Sequence, residues 1–402
     1  MNFVFISPNF PHTYWNFCDR LKKNGVNVLG IGDEAYDALE PDLRNSLTEY
    51  YKVDSLENYD SVFRAVAFFS FKYGKIDWLE SMNEYWLQQD AKLRTDFNIT
   101  TGVQNGQIDF IKEKSLMKIK YKEAGVPTAR QSLVTDLASA KEFIAEVGYP
   151  VIVKPNIGVG ANDTFKLRSD DELEVFFYEL PKIPYVMEEF VVGDLVSYEA
   201  ILDSNCEPLF ENHTEWPIPV MNVVNENLDL NYYVCADVPE ELADAGRRTV
   251  KAFGVKNRYV HLEFFRLTVD KPGLGKKGDY VGLEVNMRPA GGYTPDMINY
   301  AHSIDTYKIW ADMVTTDKRV EPAAEKEKYC CYAGRRNEYE YVHSHMEVLA
   351  KYGDVIVMQE DMPEVNWPQM GNYMYTAILP DLEATKEFIN FVQERVGWDL
   401  IY

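Results

Sequence analysis

The sequence predicts a mixed chain, an α/β domain with a parallel sheet followed by α+β units, on three observations. Residues 1–112 alternate short apolar runs with amphipathic stretches; from Lys114 the texture changes to short strands and helices joined by glycine-containing turns; and the polar tract Glu321–Lys328 precedes a last stretch of strands, turns and one closing helix around Glu383–Val396. These breaks suggest three domains: a parallel-sheet domain over 1–112, two α+β subdomains over 113–320, and a small C-terminal α+β module over 321–402.

In the first domain Asn2–Ser7 reads as a strand, Tyr14–Asn24 as a helix, Val26–Ile31 as a strand, Ser55–Tyr73 as a helix with apolar spacing, and Ile76–Ser81 as a strand end. This βαβ alternation builds a parallel sheet covered by helices. The loops after its strands, Ser7–Phe10 and Ser81–Glu84, are where such a sheet meets ligands. No glycine-rich dinucleotide fingerprint follows the first strand, and a sheet domain that only supports its neighbour reads equally well.

From Lys114 the helix Ser115–Ala124, stopped by Gly125, leads to a strand at Gln131–Val134, a helix at Leu137–Val147, and strands at Val151–Lys154 and Thr164–Leu167. A second unit is expected from strands at Tyr185–Met187, Leu195–Leu202, His261–Thr268 and Tyr280–Met287, with the helix Glu240–Phe253 between them. There is no fixed-period repeat and no low-complexity tract.

Composition narrows the function classes. A 46% hydrophobic and 26% charged chain of 402 residues is an ordinary globular protein with material for several cores. No apolar run approaches the roughly 18 residues needed to cross a bilayer, and Met1–Ile6 lacks a basic flank and a small-residue cleavage site, so it reads as a first strand rather than a signal peptide. A formal net charge of -23 repels polyanions, which argues against nucleic acid or an anionic membrane as partner. Five cysteines without a CxxC pattern give neither a disulfide framework nor a metal motif, so the cytoplasm is the expected compartment.

The chemistry concentrates in four segments. Along Tyr280–Arg288 the period of two puts Glu284, Asn286 and Arg288 on one face and Val281, Leu283, Val285 and Met287 in a hydrophobic layer. Pro289 ends the ladder and Gly291-Gly292 follow, opening the polar face onto a loop. Two oxygens and a guanidinium suit metal-bound phosphate. Lys154 ends a β-branched strand before a loop containing Gly158 and Gly160, whose amides can face an anion, although glycine hairpin loops are common without one. Glu188-Glu189-Phe190-Val191 precedes a Gly193-Asp194 turn; such a connection can offer backbone groups to a purine edge while Glu188 accepts from an exocyclic amine, or it can be a hairpin with solvated acids. Glu263 stands on an otherwise apolar strand, where a carboxylate needs a cation: a metal shared with Glu284 and Asn286, or a salt bridge to Arg266 or Arg288.

In chain order, Lys114, Lys154 with its glycine loop, Glu188–Asp194, Glu263 and Glu284-Val-Asn286-Met-Arg288-Pro-Ala-Gly-Gly resemble the ATP-grasp superfamily, which includes biotin carboxylase, D-alanine-D-alanine ligase and the L-amino acid ligases. The resemblance covers essentially the whole chain and implies the ATP-grasp fold behind an N-terminal pre-ATP-grasp domain. It further implies ATP and Mg2+, or Mn2+ in its place, as cofactors. Lys114 and Lys154 look like the lysines on the ATP phosphates, and Gly158, Gly160 and Ala161 like the loop closing over them. Glu188, Glu189, Phe190 and Val191 look like the adenine hinge. Glu263, Glu284 and Asn286 look like the metal ligands, and Arg288 like the arginine that steadies an acyl phosphate. Many members carry a ribose-binding acid after the hinge; here Leu195 stands in that place and Asp194 is the substitute.

The resemblance implies a carboxylate–amine ligase that forms an amide or peptide bond through an acyl phosphate and acts on small-molecule carboxylates and amines. Such chemistry rests on positioning and charge neutralisation and requires no nucleophilic side chain. Substrate candidates by position are Glu84, His213, Gly291, Gly292 and Arg335. The alternatives are a bicarbonate-phosphorylating carboxylase or carbamoyl phosphate synthetase-like enzyme, a carboxylate–thiol ligase, and a non-catalytic ATP-binding module. Most ligases of the family it resembles are dimers, so a homodimer is one reading, and the 14% aromatic content suits an interface and a core equally.

Overall fold

The structure is a computed structural model that describes residues 1–158, 163–179, 183–322 and 327–398. Strands β1 (Asn2–Ile6), β2 (Asn27–Gly32), β3 (Glu49–Lys52) and β4 (Trp78–Glu80) form a parallel sheet in the order β3-β2-β1-β4. The apolar runs of β1 and β2 are buried on both faces, as a covered parallel sheet requires. β3 and the helix Leu87–Asp96 carry weak apolar periodicity, which is why neither was legible in the sequence.

A second sheet contains β5 (Gln131–Leu133), β6 (Val151–Pro155), β7 (Phe165–Leu167) and β8 (Tyr185–Glu189), antiparallel in the order β5-β8-β6-β7. This corrects one expectation. The Tyr185 strand belongs to the first α+β unit, inserted between its other strands, and not to the second. The helix Leu137–Val147, capped by the Asp136 side chain on Ser139 N and ended at Gly148, packs Ala140, Phe143 and Ile144 onto it.

The third sheet has eight antiparallel strands: β9 (Gly193–Leu202), β10 (Pro208–Trp216), β11 (Asn231–Val234), β12 (Arg258–Leu267), β13 (Tyr280–Asn286), β14 (Tyr329–Arg335), β15 (Ile356–Asp361) and β16 (Tyr373–Leu379), ordered β13-β12-β9-β10-β11-β14-β16-β15. The C-terminal strands therefore extend the same sheet across the β11–β14 pairing instead of making a sheet of their own. One face buries Val196, Tyr198, Ala200 and Leu202 against the helix Glu240–Phe253, where a Cβ on Gly246 would sit 2.6 Å from the Tyr198 ring. The N-terminal domain is fused to this sheet: Phe3, Phe5, Phe17, Trp310, Tyr232 and Tyr332 share one core, with Phe17 and Trp310 edge to face at 5.0 Å. Among the described residues no helix is long and apolar enough to cross a membrane.

Candidate active site

The site starts from the pairing of β12 with β13, which sets His261 opposite Asn286 and Glu263 opposite Glu284. Directly opposed residues share a sheet face with Cβ atoms about 5 Å apart, so four polar side chains form one square. A bulge follows, because Phe264 faces Gly282 and leaves Leu283 without a partner. Leu283 consequently turns into the same cavity as Glu284, which corrects the expectation that it lies in the hydrophobic layer with Val281, Val285 and Met287. A Cβ on Gly282 would stand 2.4 Å from the Tyr121 ring, so the glycine lets the helix Lys114–Ala124 lie against β13.

That helix delivers two cations. Lys114 Nζ is buried 2.9 Å from Glu284 Oε1, and burial, which disfavours its charge, is outweighed by Glu284. One turn on, Lys118 Nζ lies 2.9 Å from Glu188 Oε1, while Lys154 at the end of β6 reaches Glu188 Oε2 at 2.7 Å. Burial raises the Glu188 carboxyl, but Lys118 and Lys154 overcome it and hold it down to about 2. Lys118 escaped the sequence reading; its signal was the i,i+4 spacing from Lys114. Gly158 ends the described part of the loop after Lys154, and Gly160 and Ala161 lie outside the described residues.

A short crossing, Phe190–Val192, takes the chain from the small sheet to the large one. Between the two sheets lies a cavity of about 1150 Å³, lined on one side by Ile152, Lys154, Phe165 and Leu167 and on the other by Leu195, Trp216, His261, Glu263, Leu283, Glu284, Asn286 and Arg288. Lys114, Glu188, Glu189, Phe190 and Val191 also line it. Glu189 is held by Arg130, through Nη2 at 2.8 Å and the backbone N–H at 2.8 Å, and Lys271 donates to the Phe190 carbonyl at 2.6 Å. These contacts fix the backbone of the crossing from behind.

His261 is the least expected member. Its Nδ1 lies 2.8 Å from Glu199 Oε1 on β9 and its Nε2 3.3 Å from Glu263 Oε1. Burial would depress the imidazole, yet the two carboxylates raise it to about 9. Glu199 is completely buried and accepts also from Ser197 Oγ at 2.6 Å, Asn212 Nδ2 at 2.7 Å and Thr214 Oγ1 at 3.0 Å. Trp216 Nε1 donates to Ser197 Oγ at 2.9 Å, tying the cavity wall to the same network. The Asn286 amide nitrogen is buried without a hydrogen-bond partner, a polar group aimed at the cavity rim. Two carboxylates, an amide and flanking ammoniums fit a cation carrying phosphate.

At the far end Arg288 lines the cavity and places Nε 3.5 Å from Glu84 Oε2, whose other oxygen is 2.5 Å from Lys112 Nζ. The backbone beside Arg288 is anchored to the N-terminal domain: Arg258 donates to the Met287 carbonyl at 2.8 Å and pairs through both terminal nitrogens with Glu80, which also holds Arg94 at 2.8 Å. Gly291 and Gly292 follow in the connecting loop, with Gly292 at φ +63°.

Three expected site residues lie elsewhere, which corrects their placement. Asp194 alternates with Leu195, so it turns to the opposite face of the sheet and pairs with Arg266 at 3.1 Å. His213 pairs across the ladder with Tyr198, on the face covered by the helix Glu240–Phe253, and lies 3.3 Å from Glu215. Arg335 donates to the Val392 carbonyl at 2.6 Å and stacks on Tyr341, packed against the closing helix Leu382–Gln393.

Two sheets clasping a cavity, with lysines from one side and acids from the other, define the ATP-grasp class of fold. Comparison with known proteins agrees. Residues 113–179 match the family described as carbamoyl-phosphate synthase L chain, ATP binding domain. The L-arginine-specific L-amino acid ligase of Bacillus subtilis is 23% identical over 365 residues, covering 84% of each chain. The crystal structure of an L-amino acid ligase from Bacillus licheniformis superposes with a TM-score of 0.70 at 14% identity, over 96% of this chain and 95% of that one. The biotin carboxylase domain of Hydrogenobacter thermophilus 2-oxoglutarate carboxylase, crystallised with MgADP and bicarbonate, gives 0.69 at 15% identity over 96% and 88%. The chain has the fold of the ATP-grasp proteins.

Proposed function

We propose that the chain is an ATP-dependent carboxylate–amine ligase that activates a carboxylate as an acyl phosphate and releases ADP and phosphate as an amide or peptide bond forms. One observation carries this reading: Lys114, Lys154, Glu263, Glu284, Asn286 and Arg288 all line one cavity. A module that only bound nucleotide would need neither Arg288 at the far end nor the buried Glu80–Arg258 anchor behind it. The L-amino acid ligase among the relatives, aligned over most of both chains, favours an organic carboxylate over bicarbonate as the group that is phosphorylated.

In this reading Lys114 and Lys154 neutralise the phosphates, and the crossing Glu188–Val191 presents backbone groups to the adenine. Magnesium, held by Glu263, Glu284 and Asn286, supplies further charge neutralisation of the triphosphate when bound. Arg288 orients the carboxylate and stabilises negative charge developing on its oxygen during phosphoryl transfer and amine attack. Glu84, 3.5 Å from Arg288, fixes the guanidinium's direction. The N-terminal domain, 1–112, contributes Glu84 and closes the substrate end.

Phosphate release from purified protein with Mg-ATP, screened against amino acids, dipeptides, small di-acids and bicarbonate singly and in pairs, tests this. Release that requires a carboxylate together with an amine is the expected result. Release with bicarbonate alone would assign the carboxylase class instead. Glu284→Ala should lower ATP consumption about 10²- to 10³-fold; wild-type turnover in that variant would remove the cation assignment.

A further inference from the structure

We propose that His261 is a nitrogen ligand of the cation site, so that the chain takes a first-row transition dication through His261 together with Glu263. The inference rests on the reading of Glu263 and Glu284 as cation ligands.

Three observations carry it. The square on β12 and β13 consists of His261, Glu263, Glu284 and Asn286, all lining the cavity, so the imidazole stands among the proposed ligands on the same sheet face. The 3.3 Å between His261 Nε2 and Glu263 Oε1 suits two ligands of one ion, since atoms ~2.1 Å from a metal and at right angles to each other are ~3 Å apart. The far side of the ring is built as for a metal-bound histidine: Nδ1 faces Glu199 at 2.8 Å, and Glu199 is locked by Ser197, Asn212 and Thr214. A carboxylate that receives the Nδ1 proton fixes the tautomer and aims Nε2 at the metal.

Nitrogen in the ligand set decides which ion is preferred. Magnesium demands hard oxygen donors and keeps its waters, whereas first-row transition dications accept a mixed nitrogen and oxygen set. A rival cluster, His213, Glu215 and Cys235, brings its donor atoms within 4.8 Å of one another on the other face of the sheet. There burial pushes the Cys235 thiol far up, so no thiolate is on offer.

The test uses Mn2+ as probe with ADP, read by pulsed electron paramagnetic resonance on the whole chain. His261 is the one histidine lining the cavity among the described residues. Protein grown on ¹⁵N-histidine should therefore show an echo modulation that differs from the unlabelled protein by the change of nitrogen isotope. His261→Gln should lose that modulation and lower the preference for Mn2+ over Mg2+ about tenfold. Nucleotide-dependent Mn2+ binding that is sensitive to Glu284→Ala but shows no histidine nitrogen overturns this inference and leaves the ligase reading standing. Failure of wild-type protein to bind Mn2+ with ADP overturns both. Should His261→Gln not fold, the isotope comparison on the wild-type sequence decides alone.

Discussion

Glu188 and Asp296 show how two buried carboxylates come to opposite protonation behaviour. Glu188 is gripped by Lys118 and Lys154, and its folded-state value of about 2 lies below the ordinary carboxylate range. The stability it contributes is fully present above pH ~4.5 and is lost as the pH falls toward 2. Glu188→Gln, which leaves two buried ammoniums uncompensated, should cost about 3–5 kcal/mol at pH 7, and the difference from wild type in denaturant midpoints should shrink on acidification. Asp296 is raised to about 6 by burial, with Tyr307 OH 3.0 Å away the main opposing influence. Its carboxylate therefore erodes stability as the pH rises from about 4 to about 6. Asp296→Asn should gain on wild type over that interval in thermal melts at the two pH values; a constant difference would contradict the burial argument. Lys154 could be picked out in the sequence as a charge at the end of an apolar run and Glu263 as a charge within one, while Lys114 stood out only through the order of segments that carries the resemblance. Lys118 and His261 were missed, because their partners Glu188 and Glu199 come from strands distant in sequence.

At the scale of elements, the contact between the helix Lys114–Ala124 and β13 connects packing to chemistry. Gly282→Ala places a methyl 2.4 Å from the Tyr121 ring and must push the helix, and Lys114 with it, away from Glu284. A loss of about 1–3 kcal/mol and a raised KM for ATP are expected, with recovery of both in Gly282→Ala combined with Tyr121→Leu. No recovery would show that the strand and not the helix contact had been disturbed. Helix Leu137–Val147 and helix Glu240–Phe253 were legible to the residue, since caps and apolar spacing are local. The bulge at Leu283 was not, because an unpaired residue is defined only by the partner strand. The same holds for Asp194: turn residues beside a strand show their sheet face only once the register with β12 is known.

For the whole molecule, the Glu80–Arg258–Arg94 network fastens the N-terminal sheet to the backbone that carries Arg288. Glu80→Gln leaves two buried guanidiniums without their shared carboxylate, a change expected to cost about 3–5 kcal/mol. It should also lower kcat for ligation more than it alters KM for ATP, because the disturbance lies at the Arg288 end of the cavity. Steady-state kinetics with an identified substrate pair checks this, and a change confined to KM for ATP would contradict it. The chain's net charge of -23 coexists with Lys114 and Lys154 in the cavity lining, which concentrate positive charge where phosphate is expected.

The sequence by itself determined the strands and helices with strong periodicity, the order of lysine, hinge, acid and arginine segments, and the class of fold they resemble, because these depend on spacing along the chain. Tertiary structure alone decided that β8 inserts into the small sheet, that the last strands extend the large one, that Asp194, His213 and Arg335 turn away, and that His261 stands beside Glu199. Strand partners and the face a side chain takes are set by register between segments far apart in sequence, and a shift of one residue reverses every side chain.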